Sequence, residues 1–194
     1  MKTNNTTPKF IVIALVMLGL APFAWSQGAY KQSTDSYITI AGTSTLHEWT
    51  MTSHEPQVQV AFETASGTIT LVKSLSVNLE SKSLKSAHTA MDKNAYSSLK
   101  ADKFKTIAFK LTSASVQDKT IQCTGSLTIA GVTKTITLSS AYEIKPDGSI
   151  HVTGNTPIKM SDYQVEPPTF MFGTVKTGND ITVSFNLQLA LVKV

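Results

Sequence analysis

The sequence predicts an all-β, antiparallel domain. Three observations carry that expectation. Apolar residues recur with period two, the alternating positions are Thr, Ser, Asn, Gln and Lys, and turn-forming residues fall between the runs. The last run is the clearest: Ile181, Val183, Phe185, Leu187, Leu189 and Leu191 alternate with Thr182, Ser184, Asn186, Gln188 and Ala190. A strand with one buried and one wet face reads this way.

The elements follow in order. Before them, Lys2 and Lys9 form a short basic region ahead of an apolar run, Phe10 to Ala24, and Ala24-Trp25-Ser26 offers small residues to a signal peptidase. Residues 1–26 are therefore expected to be a cleaved leader, with the mature chain beginning at Gln27 and exported to the periplasm or the medium. The run falls short of the ~20 apolar residues of a spanning helix, so no integral span is expected after cleavage. Strands are then expected at Ile38/Ile40, Val58/Val60/Phe62, Ile69/Leu71 and Leu75/Val77/Leu79. From Ala87 to Lys100 the pattern changes: Met91, Ala95, Tyr96 and Leu99 fall near helical spacing, and one short helix is expected over a mouth or edge of the sheet. Strands resume at Ile107/Phe109/Leu111, Ile121/Cys123/Gly125/Leu127/Ile129, Ile136/Leu138, Ile150/Val152 and Ile158/Met160. Turns are expected at Ser66-Gly67, Ala130-Gly131, Pro146-Asp147-Gly148 and Gly178-Asn179-Asp180. Residues 161–178, with Pro167-Pro168 and Phe170-Met171-Phe172, read as a long loop.

No repeat or linker divides residues 27–194, so one domain is expected there. Eight to ten strands must hide their edges by closing into a barrel or stacking as a sandwich. An outer-membrane barrel would need an apolar outer face with aromatic girdles; here the second face is polar and aromatics are 8% of the chain. A barrel of about eight strands holds either packed side chains or one small ligand.

Charge narrows the partners. Without the two leader lysines the net charge falls from +4 to +2, and the chain has no arginine. Phosphate and base recognition favour arginine's planar fork, so nucleic acid is not expected as a ligand. A single cysteine, Cys123, permits no internal disulfide, and its alternation places it inward as a small hydrophobe.

The stretch Gly42-Thr43-Ser44-Thr45-Leu46-His47-Glu48-Trp49 gathers a serine, a histidine and a carboxylate. Were residues 44–51 one strand, His47 would face away from Ser44 and Glu48, and a catalytic triad needs direct contact. Gly42 would mark a bend, and no catalytic residue is expected. His47, His54, His88 and His151 lie far apart with no ligand spacing, so neither metal nor cofactor is expected. Apolar volume remains. Trp49, Phe62, Phe104, Phe109, Phe185 and the 170–172 cluster can fill a core or line a cavity, and composition leaves both open.

Several segments together resemble the YceI-like family of exported polyisoprenoid-binding proteins. They are MDKNAYSSLKADKFKTIAFKLTSA (91–114), GSLTIAGVTKTITL (125–138), GTSTLHEW (42–49) and KMSDYQVEPPTFMFGTVKTGNDITVSFNL (159–187). The resemblance implies a lipocalin-like antiparallel β-barrel of about eight strands with one short helix after the first strands. It also implies an elongated apolar cavity for an isoprenoid lipid or other long-chain amphiphile. Members often carry arginines that are absent here, so lysines such as Lys82, Lys85 and Lys159, or hydroxyls, would have to meet a head group. The candidate cavity-lining residues are Trp49, Phe62, Tyr96, Leu99, Phe104, Phe109, Met160, Tyr163, Phe170, Phe172 and Phe185. The expected function is a non-enzymatic carrier serving transport, storage or stress protection. The alternative is a structural or interaction barrel with a solid core that binds a protein partner, and a homodimer stays open.

Overall fold

The computed structural model describes residues 26–192; apart from Ser26, the expected leader lies outside the described residues. In chain order the elements are β1 (Ser26–Gln32), β2 (Tyr37–Ser44), β3 (Glu48–Ser53), β4 (Gln57–Ala65), β5 (Thr68–Glu80), α1 (Thr89–Ser98) and β6 (Thr106–Gln117). β7 (Thr120–Ile129), β8 (Val132–Ile144), β9 (Ile150–Lys159), β10 (Thr169–Phe170) and β11 (Val175–Leu191) follow. β1, β4, β5, β6, β7, β8, β9 and β11 close into a ring, with β1 returning to β11. Closure hides every edge in that ring, which is how the period-two pattern is accommodated in one domain.

β11 is the closing strand. One edge pairs with β9 along its length; the other pairs with β2 through Asn186 and with β1 from Leu189 onward. β1 and β2 are thus one strand line interrupted at residues 33–36. Ser36 bridges the interruption: its hydroxyl donates to the Gln188 carbonyl at 3.1 Å and accepts the Gln188 N–H at 3.0 Å. Across the sheet β1 pairs β4 and β2 pairs β3, so residues 26–65 form one long hairpin bent in the middle.

The bend opens a wedge. β4 pairs β5 only as far as Gln57 opposite Asn78, and β3 diverges from β5 above that point. The chain after β5 fills the gap. Lys85 and Thr52 exchange backbone bonds of 2.7 and 2.9 Å, and the Ser53 and Ser83 hydroxyls meet at 2.7 Å. α1 lies over the remainder, with Met91, Ala95 and Leu99 packed on Met51, Leu79 and Leu84. The helix is anchored by polar contacts. The buried Asp92 carboxylate accepts both the N–H and the hydroxyl of Ser86 at 2.7 Å, and the Tyr96 hydroxyl sits 2.9 and 2.7 Å from the Lys82 and Leu84 carbonyls.

The opposite end is a packed floor of Tyr30, Phe62, Ile69, Tyr142 and Ile150. The Tyr142 hydroxyl reaches from β8 to β5 to accept the Ile69 N–H at 3.1 Å.

Four expectations need correction. Ile69 and Leu71 do not share a face: register shifts in the β4–β5 pairing between Ala61 and Phe62 and between Glu63 and Thr64 turn Leu71 outward and keep Ile69 and Val72 inward. Residues 45–47 are a turn rather than strand, bonded around the Ser44 hydroxyl, which accepts the Leu46 and His47 N–H groups. Gly178-Asn179-Asp180 is no turn but an irregularity inside β11. Residues 161–178 are largely structured, because Met160, Tyr163 and Val165 bury themselves against Ile129 and Ala130 and form a strap across the helix end. Of the turns, Ser66-Gly67 and Ala130-Gly131 have the positive φ at both residues that two-residue hairpins favour.

Ser36→Ala should cost about 1–2 kcal/mol of stability, since the half-buried Gln188 N–H loses its acceptor while the Gln188 carbonyl keeps the Ser33 N–H at 2.7 Å. Urea unfolding with an unchanged slope checks this; a loss under about 0.5 kcal/mol would show that the seam closes without the hydroxyl.

Candidate functional site

The inward faces of the strands do not fill the ring. A cavity of about 220 Å³ remains between the floor, α1 and the strap. An engineered apolar cavity of about 150 Å³ takes benzene, so this volume suits roughly nine carbon atoms. The interior is therefore not the solid core of the alternative reading.

Its wall is aliphatic and aromatic, with no charged side chain. Hydroxyls come from Ser98 on α1, Ser140 on β8, Thr156 on β9 and Tyr163 in the strap. Ser140 already donates to the Ile121 carbonyl at 3.3 Å. A charged group moved into such a wall loses its hydration without compensation, whereas an alkyl chain gains by leaving water.

Strand geometry explains why the cavity persists. Glycines on the inner face let aromatic rings lie flat against the backbone. A Cβ at Gly42 would overlap the Trp49 ring of the facing strand, and one at Gly154 would meet Phe185 and the Ser139 carbonyl at 2.5 and 2.6 Å. Gly42 is thus the seat of an indole, not a bend; the Trp49 Nε1–H donates to the Thr43 carbonyl at 3.0 Å. Rings held against the wall bend the sheet without crossing the lumen.

Of the sequence-predicted residues, Trp49, Phe62, Leu99, Phe109, Met160, Tyr163 and Phe185 line the cavity. The other four do not. Tyr96 lies on the outer side of α1, where its hydroxyl anchors the helix and the Lys85 ammonium sits 5.1 Å from its ring centre. Phe104 packs beneath the β7–β8 turn, its ring occupying the space a Cβ at Gly131 would need. Phe170 pairs with Val175 at the start of β11, and Phe172 is fully exposed. Helical spacing could not separate the two faces of so short a helix, and the 170–172 cluster gave no period. The reading also missed the aliphatic majority of the wall, including Ile38, Val60, Val77 and Val183. Their signal was the inward half of the alternation itself.

Two buried groups stand out. Cys123 lines the cavity, and burial pushes its thiol up to about 11. Tyr163 is 2% exposed, its hydroxyl has no hydrogen-bond partner among the described residues, and burial, then the nearby Asp162 charge, raises its pKa. The Ser44–His47–Glu48 group sits at the exposed β2–β3 tip. There the Ser44 hydroxyl donates to the His47 carbonyl at 2.9 Å, and His47 Nδ1 lies 2.6 Å from the Glu48 carbonyl, so the three side chains do not converge.

A family model, the YceI-like domain, matches residues 34–189. The fold is similar to that of Burkholderia cenocepacia BcnA, with a TM-score of 0.67 at 16% identity over 80% of this chain and 96% of that one. It is also similar to a polyisoprenoid binding domain from Saccharophagus degradans implicated in plant cell wall breakdown, with a TM-score of 0.65 at 11% identity over 86% and 100%. A Campylobacter jejuni YceI protein gives 0.57 at 25% identity over 72% and 82%. No curated protein matches the chain.

Tyr163→Phe should raise stability by about 1 kcal/mol by removing an unsatisfied buried hydroxyl; a loss in thermal or urea unfolding would contradict this. The raised Cys123 pKa favours the neutral thiol in the folded state. Its contribution is therefore complete below the ordinary value of 9.0 and is lost as pH rises toward about 11. Iodoacetamide should label native Cys123 about 100-fold more slowly than a free thiol near neutral pH, from ionisation alone; equal rates would contradict its burial.

Proposed function

The chain belongs to the YceI-like family, and from that premise we propose that it is an exported carrier that holds the tail of a polyisoprenoid or similar long-chain amphiphile inside the barrel. The observation that carries this reading is the cavity: an uncharged, apolar lumen that the strands leave unfilled. The likeness in fold to a polyisoprenoid binding domain of Saccharophagus degradans supports it, and export rests on the leader pattern.

Magnitudes favour a long tail over a short one. Burying about nine carbons contributes roughly 7 kcal/mol at ~0.8 kcal/mol each. That is of the same order as the ~4–15 kcal/mol lost on immobilising a ligand. A short chain filling only the cavity binds weakly. A longer tail binds well by continuing into the wedge, where the wall is α1 rather than hydrogen-bonded strand. Ala95 and Ser98 of α1 and Leu99 at its C-cap face the lumen there. Displacing them breaks side-chain packing but no sheet hydrogen bond. Transport, storage and stress protection all share this binding step.

Affinity should rise from geraniol through farnesol to geranylgeraniol in calorimetric titration, with α1 amides exchanging faster when the longest alcohol is bound. Val183→Trp, which fills the lumen from β11, should weaken uptake by about tenfold or more. Absence of uptake across the series, together with no lipid in an organic extract of protein purified from its own host, would overturn the reading.

A further inference from the structure

Charge is distributed unevenly over the barrel. Residues 80–105, which run from the end of β5 through α1 to the start of β6, carry six lysines: Lys82, Lys85, Lys93, Lys100, Lys103 and Lys105. Against these stand Glu80, Asp92 and Asp102, for a net charge of +3. The other described residues carry eight lysines and ten carboxylates, a net of −2. Among the described residues the positive surplus is therefore confined to the segment that forms the lid.

Local contacts engage half of these lysines. Lys82 is bound to Asp102 at 2.6 Å, and the Lys85 and Lys103 ammonium groups each lie 5.1 Å from a ring centre, of Tyr96 and Phe104, where they keep their charge; Asp92 is occupied by Ser86. Lys93, Lys100 and Lys103 are exposed around a shallow groove on the outer face of α1, with no acid but the already paired Asp102 in its lining.

The two most exposed large apolar side chains lie at the same end, whereas the less exposed Leu71, Leu191 and Val192 lie toward the floor. Leu46, 67% exposed, is at the β2–β3 tip, and Phe172, fully exposed, is at the turn before β11. The two turns are joined, since the Thr45 N–H donates to the Lys176 carbonyl at 3.0 Å and the Thr45 hydroxyl accepts the Lys176 N–H. Both adjoin the lid, because Trp49 of β3, Leu99 beside α1 and Val165 of the strap belong to one apolar cluster. Phe172 also has φ 57°, a conformation unfavourable for a bulky side chain. A residue that is both strained and wholly exposed gains nothing from its position in water. Lysines on a helix combined with apolar tips are the combination that favours an anionic bilayer interface, charges lying on head groups and rings entering the acyl boundary.

We propose that the α1 end of the barrel docks on anionic phospholipid membranes, with Lys93, Lys100 and Lys103 on the head groups and Leu46 and Phe172 entering the interface. Docking sets the wedge against the bilayer, so a tail passes between membrane and lumen without crossing water. The docking surface is separate from the cavity and stands whether or not the lumen holds a lipid.

Co-sedimentation with vesicles tests it. The mature chain should pellet with phosphatidylcholine–phosphatidylglycerol vesicles, remain in solution with pure phosphatidylcholine, and be released by raised ionic strength. Each lysine near such a surface is worth about fivefold, so Lys93→Glu/Lys100→Glu/Lys103→Glu should weaken binding about a hundredfold or more. Leu46→Ser/Phe172→Ser should weaken it about tenfold and leave the salt dependence in place. Lys119→Glu, in the β6–β7 turn at the far end, should leave it unchanged. Circular dichroism and geranylgeraniol uptake, unaltered in these surface variants, separate lost docking from lost folding or a lost lumen. Equal binding to neutral vesicles, or full binding by the triple lysine variant, would overturn the proposal. Salt-sensitive capture of an acidic protein without any vesicle binding would also overturn it.

Discussion

Closure of the sheet along β11 is the constraint on which the rest of the structure depends. That strand receives β9 on one side and the β1–β2 line on the other, so eight strands close into a ring, and only the wedge between β3 and β5 is covered by other means. Once the backbone bonds are satisfied around the ring, the inward residues need only be apolar; they need not meet at the centre. A sandwich of the same sequence would have to pack its two inner faces together. Closure lets the molecule be both stable and hollow.

The two ends of the ring then divide the work. At the floor, Tyr142 reaches across to β5, and Tyr30 and Phe62 pack at a centroid distance of 5.5 Å, so side chains seal what the strands leave open. At the other end, the interrupted β1–β2 and β3–β4 lines bend apart from β5, and a helix replaces sheet. The lid is held by a few polar anchors, Asp92 to Ser86 and Tyr96 to the Lys82 and Leu84 carbonyls, together with a thin apolar contact on Leu84 and Leu79. Opening at this end costs packing and a handful of hydrogen bonds. Opening at any strand pair would cost a ladder. Access to the lumen follows from that difference, and the lysine surplus and exposed apolar tips lie at the same end.

Most of the barrel was legible because strand periodicity is local. The run of β7, the two ends of β9 and β11 from Ile181 are legible residue by residue, as are the turns at Ser66-Gly67, Ala130-Gly131 and Pro146-Asp147-Gly148. The failures have identifiable causes. Leu71 points outward because pairing irregularities with β4 reset the alternation, and such an irregularity leaves no mark in composition. β1 carries one inward aromatic, Tyr30, and too little alternation to read. The strap looked like a loop because Met160, Tyr163 and Val165 have no single period, yet each is buried by distant partners. Within the site, aromatic character does not mark lumen residues: four of the predicted eleven lie outside the cavity, Tyr96 because its hydroxyl fixes the helix from outside. Gly42 was read as a bend, whereas its role is to seat the Trp49 ring, a relation that exists only between strands.

The central claim is that an apolar tail lies inside the ring, between the Tyr142 floor and α1. Nuclear Overhauser contacts between geranylgeraniol and methyl-labelled Ile, Leu and Val residues test it most directly. The account predicts contacts to Leu99, Val183 and Leu187 in the lumen and none to the outward Leu71. Contacts confined to Leu71 and other outward methyls, with the lumen methyls unaffected, would contradict it.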